Sequence, residues 1–321
     1  MRITLGGGGT DIPSYHRTYG GALISAAIDK YMFIYVNRPI VDDLIRLKYS
    51  KTEIVKDVDE IQHDIARESL RLMEIRNAIE ITAMADIPSG TGLGSSSCFA
   101  VGLLNALHAL KREHISARDL AEEACHIEID LCHKPIGKQD QYLAAFGGIS
   151  ELEIDTSGKV RISASRIDGD IRKELENNIL LFFTGIKRES HSILQEQSLA
   201  TGKDKKRIVD SLHRIKEIGQ QIKEALSAGD IGRFGKLLDL HWQTKKKLSE
   251  KITDQKIERW YEVAKAHGAL GGKIMGGGGG GFFMFYCEKD RRELRRAMAA
   301  EGLRELHFRF DIEGSKVLVN F

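Results

Sequence analysis

The residues with chemistry to offer begin at Pro88-Ser89-Gly90-Thr91-Gly92-Leu93-Gly94-Ser95-Ser96-Ser97, three glycines and four serines in ten residues. An apolar run at helical spacing, Cys98 to Leu110, follows at once. A glycine-rich turn that opens into a helix leaves backbone N–H groups free beside the positive end of the helix dipole, which suits a phosphate. Glycines let the backbone approach closely, and serines add hydroxyl donors. The loop does not end in Gly-Lys-Ser/Thr, so it is not a Walker A loop. Nor does it carry the Gly-x-Gly-x-x-Gly of a dinucleotide fingerprint opening a βαβ unit. A flexible linker is the plainer reading of a Gly/Ser segment, but a linker would not run straight into a buried helix.

Three other stretches stand out. Arg2 to Leu5 is short and β-prone, and runs into Gly6 to Gly9, Thr10 and Asp11. This reads as an ordinary loop after a strand, or as a ligand contact in which glycines admit the backbone and Thr10 and Asp11 supply hydrogen bonds. In Lys134-Pro135-Ile136-Gly137-Lys138-Gln139-Asp140-Gln141-Tyr142, Pro135 stops a helix and Gly137 turns the chain. Taken alone, Asp140 is a cap or turn residue. Finally, six glycines, Gly276 to Gly281, feed the apolar run Phe282 to Tyr286.

The elements that must position these residues follow from periodicity. Tyr19 to Val36 reads as two strands joined at Asp29-Lys30, Ile65 to Met73 as a helix, and Ala78 to Ala85 as the strand that delivers the chain to the Ser/Gly loop. Ser116 N-caps a helix through Cys132 that carries Glu122, Glu123 and Glu128. Gly147 to Ile154 begins another strand. Gly, Ser and Asp clusters between Asp155 and Asp170 mark a division into residues 1–160 and 161–321. Ile179 to Phe183 reads as a central strand, and His191 to Gln197 as a helix with Lys187 and Arg188 near its start, a solvated edge by the plain reading. Lys203 to His267 gives three helices broken at Gly229-Asp230 and Thr253-Asp254. Lys289 to Gly302 is a helix, and Glu305 to Phe310 and Lys316 to Asn320 are closing strands.

Length allows two domains around a cleft: 321 residues, 42% hydrophobic. Lys plus Arg is 48 against 46 Asp plus Glu, a balance that gives no reason to expect nucleic acid or a membrane as partner. The absence of a signal-peptide pattern and of a span-length apolar run makes the cytoplasm the expected location. Cys98, Cys125, Cys132 and Cys287 form no Cys-x-x-Cys pair and read as reduced residues. Cys132-His133 with His126 fits no standard zinc spacing.

The Ser/Gly loop resembles the phosphate loop of the GHMP kinases, and the Gly6 to Asp11 and Gly276 to Gly281 stretches match that superfamily in order. The resemblance implies an α+β fold of two domains: an N-terminal ATP-binding domain with a mixed sheet and the phosphate-loop helix, and a C-terminal ferredoxin-like domain with added helices. It implies that Pro88 to Ser97 bind ATP, that Ser96 and Glu128 hold Mg²⁺, and that Asp140 sits at the reacting hydroxyl, steadied by Arg2. Gly8, Gly9, Thr10 and Asp11 would line the sugar pocket, with Gly277 and Gly278 beside it. Relatives usually carry alanine where this chain has Gly277, a change of about 0.5–1 kcal/mol in backbone entropy.

Shorter pieces give a finer likeness, to the kinases of D-glycero-α-D-manno-heptose 7-phosphate: Tyr49 to Glu53, Asp57 to Glu60, Phe183 to Gly185, Glu196-Gln197 and Phe310 to Ser315. Such enzymes phosphorylate the anomeric oxygen to give the 1,7-bisphosphate. An acceptor with a distal phosphate needs a cationic pocket, for which Lys187, Arg188 and Arg17 are candidates by composition. Lys138 is a candidate to offset charge at Asp140. The alternatives are another anomeric sugar kinase, of the L-fucose or galactose type, and a sensor that binds sugar and ATP without turnover. The expected partners are ATP and the sugar phosphate, with a homodimer left open.

Overall fold

The structure, a computed structural model, describes residues 1–186 and 205–320. The N-terminal half holds two four-stranded sheets. The first runs β1 (Arg2–Gly6), β2 (Gly21–Ala27), β7 (Ile149–Ile154) and β8 (Val160–Ala164), all antiparallel. The second runs β3 (Met32–Asn37), β6 (Ile79–Ala85), β4 (Ile45–Lys48) and β5 (Thr52–Val55), with β4 parallel to β6. The turn at Asp29-Lys30 therefore does not make a hairpin; it hands the chain from one sheet to the other. Strands β4 and β5 lie in the stretch between Asn37 and Met73, whose charged residues hide them.

Helices α1 (Pro13–Tyr19), α2 (Asp64–Leu72), α3 (Ser95–Leu110), α4 (Ala117–Cys125) and α5 (Gln139–Phe146) complete this half. Helix α3 buries Phe99, Val101, Leu103, Leu104 and Leu107 in a core shared with the second sheet and α4. The side chain of Ser116 accepts from Asp119 N to cap α4, as its position predicts. Helix α4 then widens into a π turn, His126–Leu131. It closes at Cys132, ahead of Pro135, with His133 in the left-handed region at φ 52°. The four cysteines are free thiols.

In the C-terminal half, α6 (Gly169–Asn178) leads into β9 (Ile179–Phe183), and then come α7 (Lys205–Ser227), α8 (Ile231–Lys245) and α9 (Gln255–Ala266). Asp230 and Asp254, the residues at the sequence breaks, cap α8 and α9. Strands β10 (Gly271–Ile274) and β11 (Phe282–Tyr286), helix α10 (Arg291–Ala300) and β12 (Arg304–Leu306) follow. The sheet order β10-β11-β9-β12, antiparallel throughout, is that of a ferredoxin-like unit.

Two expectations need correction. The expected strand Glu305 to Phe310 is reduced to Arg304–Leu306 plus one bridge, Phe310 to Ile28, and Lys316 to Asn320 forms no strand. This tail leaves its own sheet because it has partners in the other half: Asp311 N donates to Ala27 O and Ser315 N to Ala144 O. The expected division after residue 160 would pass through β8, which extends the first sheet to Ala164. The expected helix His191 to Gln197 lies outside the described residues. Among the described residues no helix is long and apolar enough to cross a membrane.

Candidate active site

Helix α3 begins without a side-chain cap: its N-cap is Gly94, left-handed at φ 80°, so the first-turn N–H groups face the cleft. Neighbours hold the loop before it. Thr91 Oγ1 donates to Pro88 O at 3.0 Å, Arg2 Nη1 to Gly92 O at 2.7 Å and Phe282 N to Thr91 O at 3.2 Å. The loop packs backbone to backbone on the glycine run after β10. A Cβ on Gly92 would come 2.7 Å from Met275 O, and one on Gly276 would come 2.7 Å from Gly92 Cα. Both glycines have positive φ, so the two loops exclude side chains for reasons of space and of conformation.

Asp140 occupies the first turn of α5 rather than a loop. Arg2, on β1, grips it with two bonds, Nε to Oδ1 at 2.6 Å and Nη2 to Oδ2 at 2.8 Å. The guanidinium is buried and the carboxylate keeps 23% of its side-chain exposure, so the pair opens on one side only. Asp11 lies close by: Oδ1 accepts from Gly9 N at 3.1 Å and Oδ2 from Gln139 N at 3.2 Å. Burial, and secondly the charge of Asp140, push its carboxyl up from the usual range. A side chain at Gly137 would overlap Asp11 Oδ2, which explains that glycine.

Glu128 lies in the π turn, where the extra residue per turn redirects side chains. It is fully buried. Its Oε1 accepts from Ser96 Oγ at 2.6 Å and its Oε2 from Gln141 Nε2 at 2.7 Å, while Lys134 Nζ stands 3.9 Å away. Burial raises its carboxyl. A buried carboxylate with mostly neutral partners, beside a serine hydroxyl, fits a hard cation that prefers oxygen. The described residues contain no group of three or more His, Cys, Asp or Glu able to hold a metal, so Ser96 and Glu128 offer only part of a shell. Mg²⁺ commonly binds in that way and takes its other ligands from phosphate and water.

These groups face one cavity of about 560 Å³. Ser89 to Gly92, Gly94 to Ser97, Arg2, Gly8, Gly9, Asp11, Glu128, Asp140 and Gly277 all line it. Other sequence candidates stand behind it. Leu93 is a core residue, and Thr10 is buried with its hydroxyl on Gly7 O and Ala22 O. Pro88 supplies a carbonyl to Thr91, and Gly278 packs on Ile252. Arg17 is exposed on the last turn of α1 and does not line the cavity. Lys138 bonds Glu122 Oε2 at 2.9 Å and Gly158 O at 3.0 Å. Lys187 and Arg188 lie outside the described residues. Three basic lining residues escaped the sequence reading: His241, Lys245 and Lys273.

Residues 63–148 match the N-terminal domain of the GHMP kinases and residues 222–304 their C-terminal domain. The chain is 30% identical to the D-glycero-alpha-D-manno-heptose 7-phosphate kinase of Campylobacter jejuni, across 98% of this chain and 96% of that one. The chain belongs to the GHMP kinases. As a GHMP kinase it is an ATP-dependent phosphotransferase. Among solved structures it is similar to a D-glycero-D-manno-heptose 1-phosphate kinase of Bacteroides thetaiotaomicron, with a TM-score of 0.80 at 25% identity over 99% of this chain and 98% of that one. It is also 27% identical to an L-fucokinase/L-fucose-1-P guanylyltransferase of Bacteroides fragilis, over 86% of this GHMP kinase and 33% of the larger protein.

Proposed function

We propose that this kinase transfers the γ-phosphate of ATP to the anomeric hydroxyl of D-glycero-D-manno-heptose 7-phosphate, giving the 1,7-bisphosphate. The observation that carries the reading is the Arg2–Asp140 pair, set in a cleft with the phosphate loop on one side and Asp11 on the other. Phosphoryl transfer asks the protein for alignment and charge neutralisation more than for covalent work. The free N–H groups at the start of α3 hold the ATP phosphates. Asp11, fixed by Gly9 and Gln139, accepts hydrogen bonds from sugar hydroxyls. Asp140 takes the proton of the attacking hydroxyl, and the fork from Arg2 fixes which face its carboxylate presents. Ser96 and Glu128 are the groups that would hold Mg²⁺, which when bound offsets phosphate charge.

The similarity to the Campylobacter heptose 7-phosphate kinase over nearly the full length supports the sugar. The likeness to an L-fucokinase favours a second reading, an anomeric kinase of an unphosphorylated sugar. The test is ADP release from Mg-ATP with heptose 7-phosphate, heptose 1-phosphate, free heptose, mannose, L-fucose and galactose. Turnover confined to the 7-phosphate is the expected result. Turnover only with a free sugar would replace the substrate and keep the kinase. ATP binding without turnover of any of them would favour a sensor.

A further inference from the structure

Helix α8 packs on β10, and the contact gathers His241, Lys245 one helical turn later, and Lys273 on one wall of the cleft. All three are buried, His241 and Lys273 to within 2%. Lys245 is already engaged in the fold. Its Nζ donates to Ile274 O at 2.9 Å and Gly276 O at 2.6 Å and so pins the glycine loop. Lys273 has far less, one bond of 3.3 Å to Leu5 O. Both ring nitrogens of His241 are buried without any partner. Among the described residues no carboxylate pairs with either lysine, and Asp140 is taken by Arg2. Buried amines and an unpartnered imidazole are costly to leave with unmet hydrogen-bonding capacity, and an anion would complete them and favour their charged forms.

The location says which anion. The free N–H groups of the α3 loop, which packs on the glycine run that Lys245 pins, already provide for the phosphates of ATP. Lys273 instead reaches Leu5 on β1, directly before the Gly6 to Asp11 segment that faces the acceptor. The unused capacity is two N–H groups of Lys273 and the His241 ring, with Lys245 adding charge. That matches a dianion with several terminal oxygens better than a single carboxylate.

We propose that Lys273, His241 and Lys245 form the subsite for a phosphomonoester on the sugar, at the end away from the reacting hydroxyl. This rests on the sugar-phosphate reading above, and it replaces Arg17, which is exposed, as the source of the cationic pocket.

The test is the preference ratio, kcat/KM for heptose 7-phosphate over that for free heptose, in the wild type, in Lys273→Met and in His241→Gln. Removing one charged partner should cut the ratio by about 10- to 100-fold in Lys273→Met, and less in His241→Gln. Lys273→Arg should retain most of it. A wild type without preference for the phosphorylated sugar overturns the proposed substrate before any variant is made. A wild-type preference that survives Lys273→Met and His241→Gln overturns the subsite alone, as does an effect confined to the KM for ATP. If Lys273→Met does not fold, the ratio in His241→Gln decides.

Discussion

At the scale of the residue, the Arg2–Asp140 pair is the sharpest test of mechanism. Asp140→Asn keeps the size of the side chain and removes the carboxylate proposed to accept the proton, so kcat for ADP release should fall by about 10²- to 10⁴-fold with little change in the sugar KM. Arg2→Lys keeps the charge but cannot reproduce two parallel bonds to one carboxylate, and should lower kcat by about tenfold or more. A second prediction concerns protons. Burial, and then the charge of Arg2, hold Lys245 down to about 7. The groups that face it are Lys273, His241, Arg2 and, through Arg2, Asp140. At pH 8 the empty site therefore leaves Lys245 largely neutral, and a bound dianion lifts its pKa. Binding of heptose 7-phosphate at pH 8 should take up protons, which calorimetry in buffers of different ionisation enthalpy measures. Binding of free heptose should not. The three basic residues were not legible in the sequence for a plain reason. His241 and Lys245 stand in a run that continues Lys246-Lys247, which looks like a solvated helix face, and only the packing of α8 on β10 turns those two inward. A lysine between Gly272 and Ile274 in a strand buried along its length was the one available signal.

At the scale of the element, the glycine loop after β10 makes opposite predictions for two adjacent residues. Gly276 has φ 63° and abuts Gly92, so Gly276→Ala must push the phosphate loop and strain its own backbone; it should destabilise the fold by about 1–3 kcal/mol and raise the KM for ATP. Gly277 is not among the positive-φ glycines. Gly277→Ala should instead stabilise by about 0.4–1 kcal/mol, through the unfolded chain, as read by urea denaturation. The loops, the α3 start and the helices from Lys205 to Ala266 were legible because each carries a local signature: glycine runs, caps at Ser116, Asp230 and Asp254, and helical spacing. The π turn at Glu128 was not, since a single-residue expansion leaves the apolar pattern nearly unchanged. Strands β4 and β5 were hidden because half of their residues are polar, which alternation across a sheet with one exposed face allows.

At the scale of the molecule, the question is whether the halves act as one body, since the cleft takes groups from both. One apolar core crosses between them: Ile3, Leu5 and Ile24 of the first sheet pack in a cluster with Leu181, Ile218, Phe234 and Met284. The tail adds a second tie, with Gly148 N donating to Asp311 O and Asn105 Nδ2 to Ser315 Oγ at 2.9 Å. This crossing was not legible from residue patterns, because strand-like residues such as Phe308 and Phe310 do not reveal which sheet edge they will meet. The relative weight of the two ties is measurable. A side chain on Gly314 would overlap Ala145 O, so Gly314→Ala lifts the tail without touching the core. Both tryptophans, Trp242 and Trp260, lie in the C-terminal half, so their emission reports that half while far-UV circular dichroism reports the whole. If the core is the main coupling, the two urea transitions coincide in the wild type and stay coincident in Gly314→Ala, both moved to lower urea. Transitions that separate only in the variant would mean that the tail couples the halves, and the cleft would then depend on a strand-free segment for its alignment.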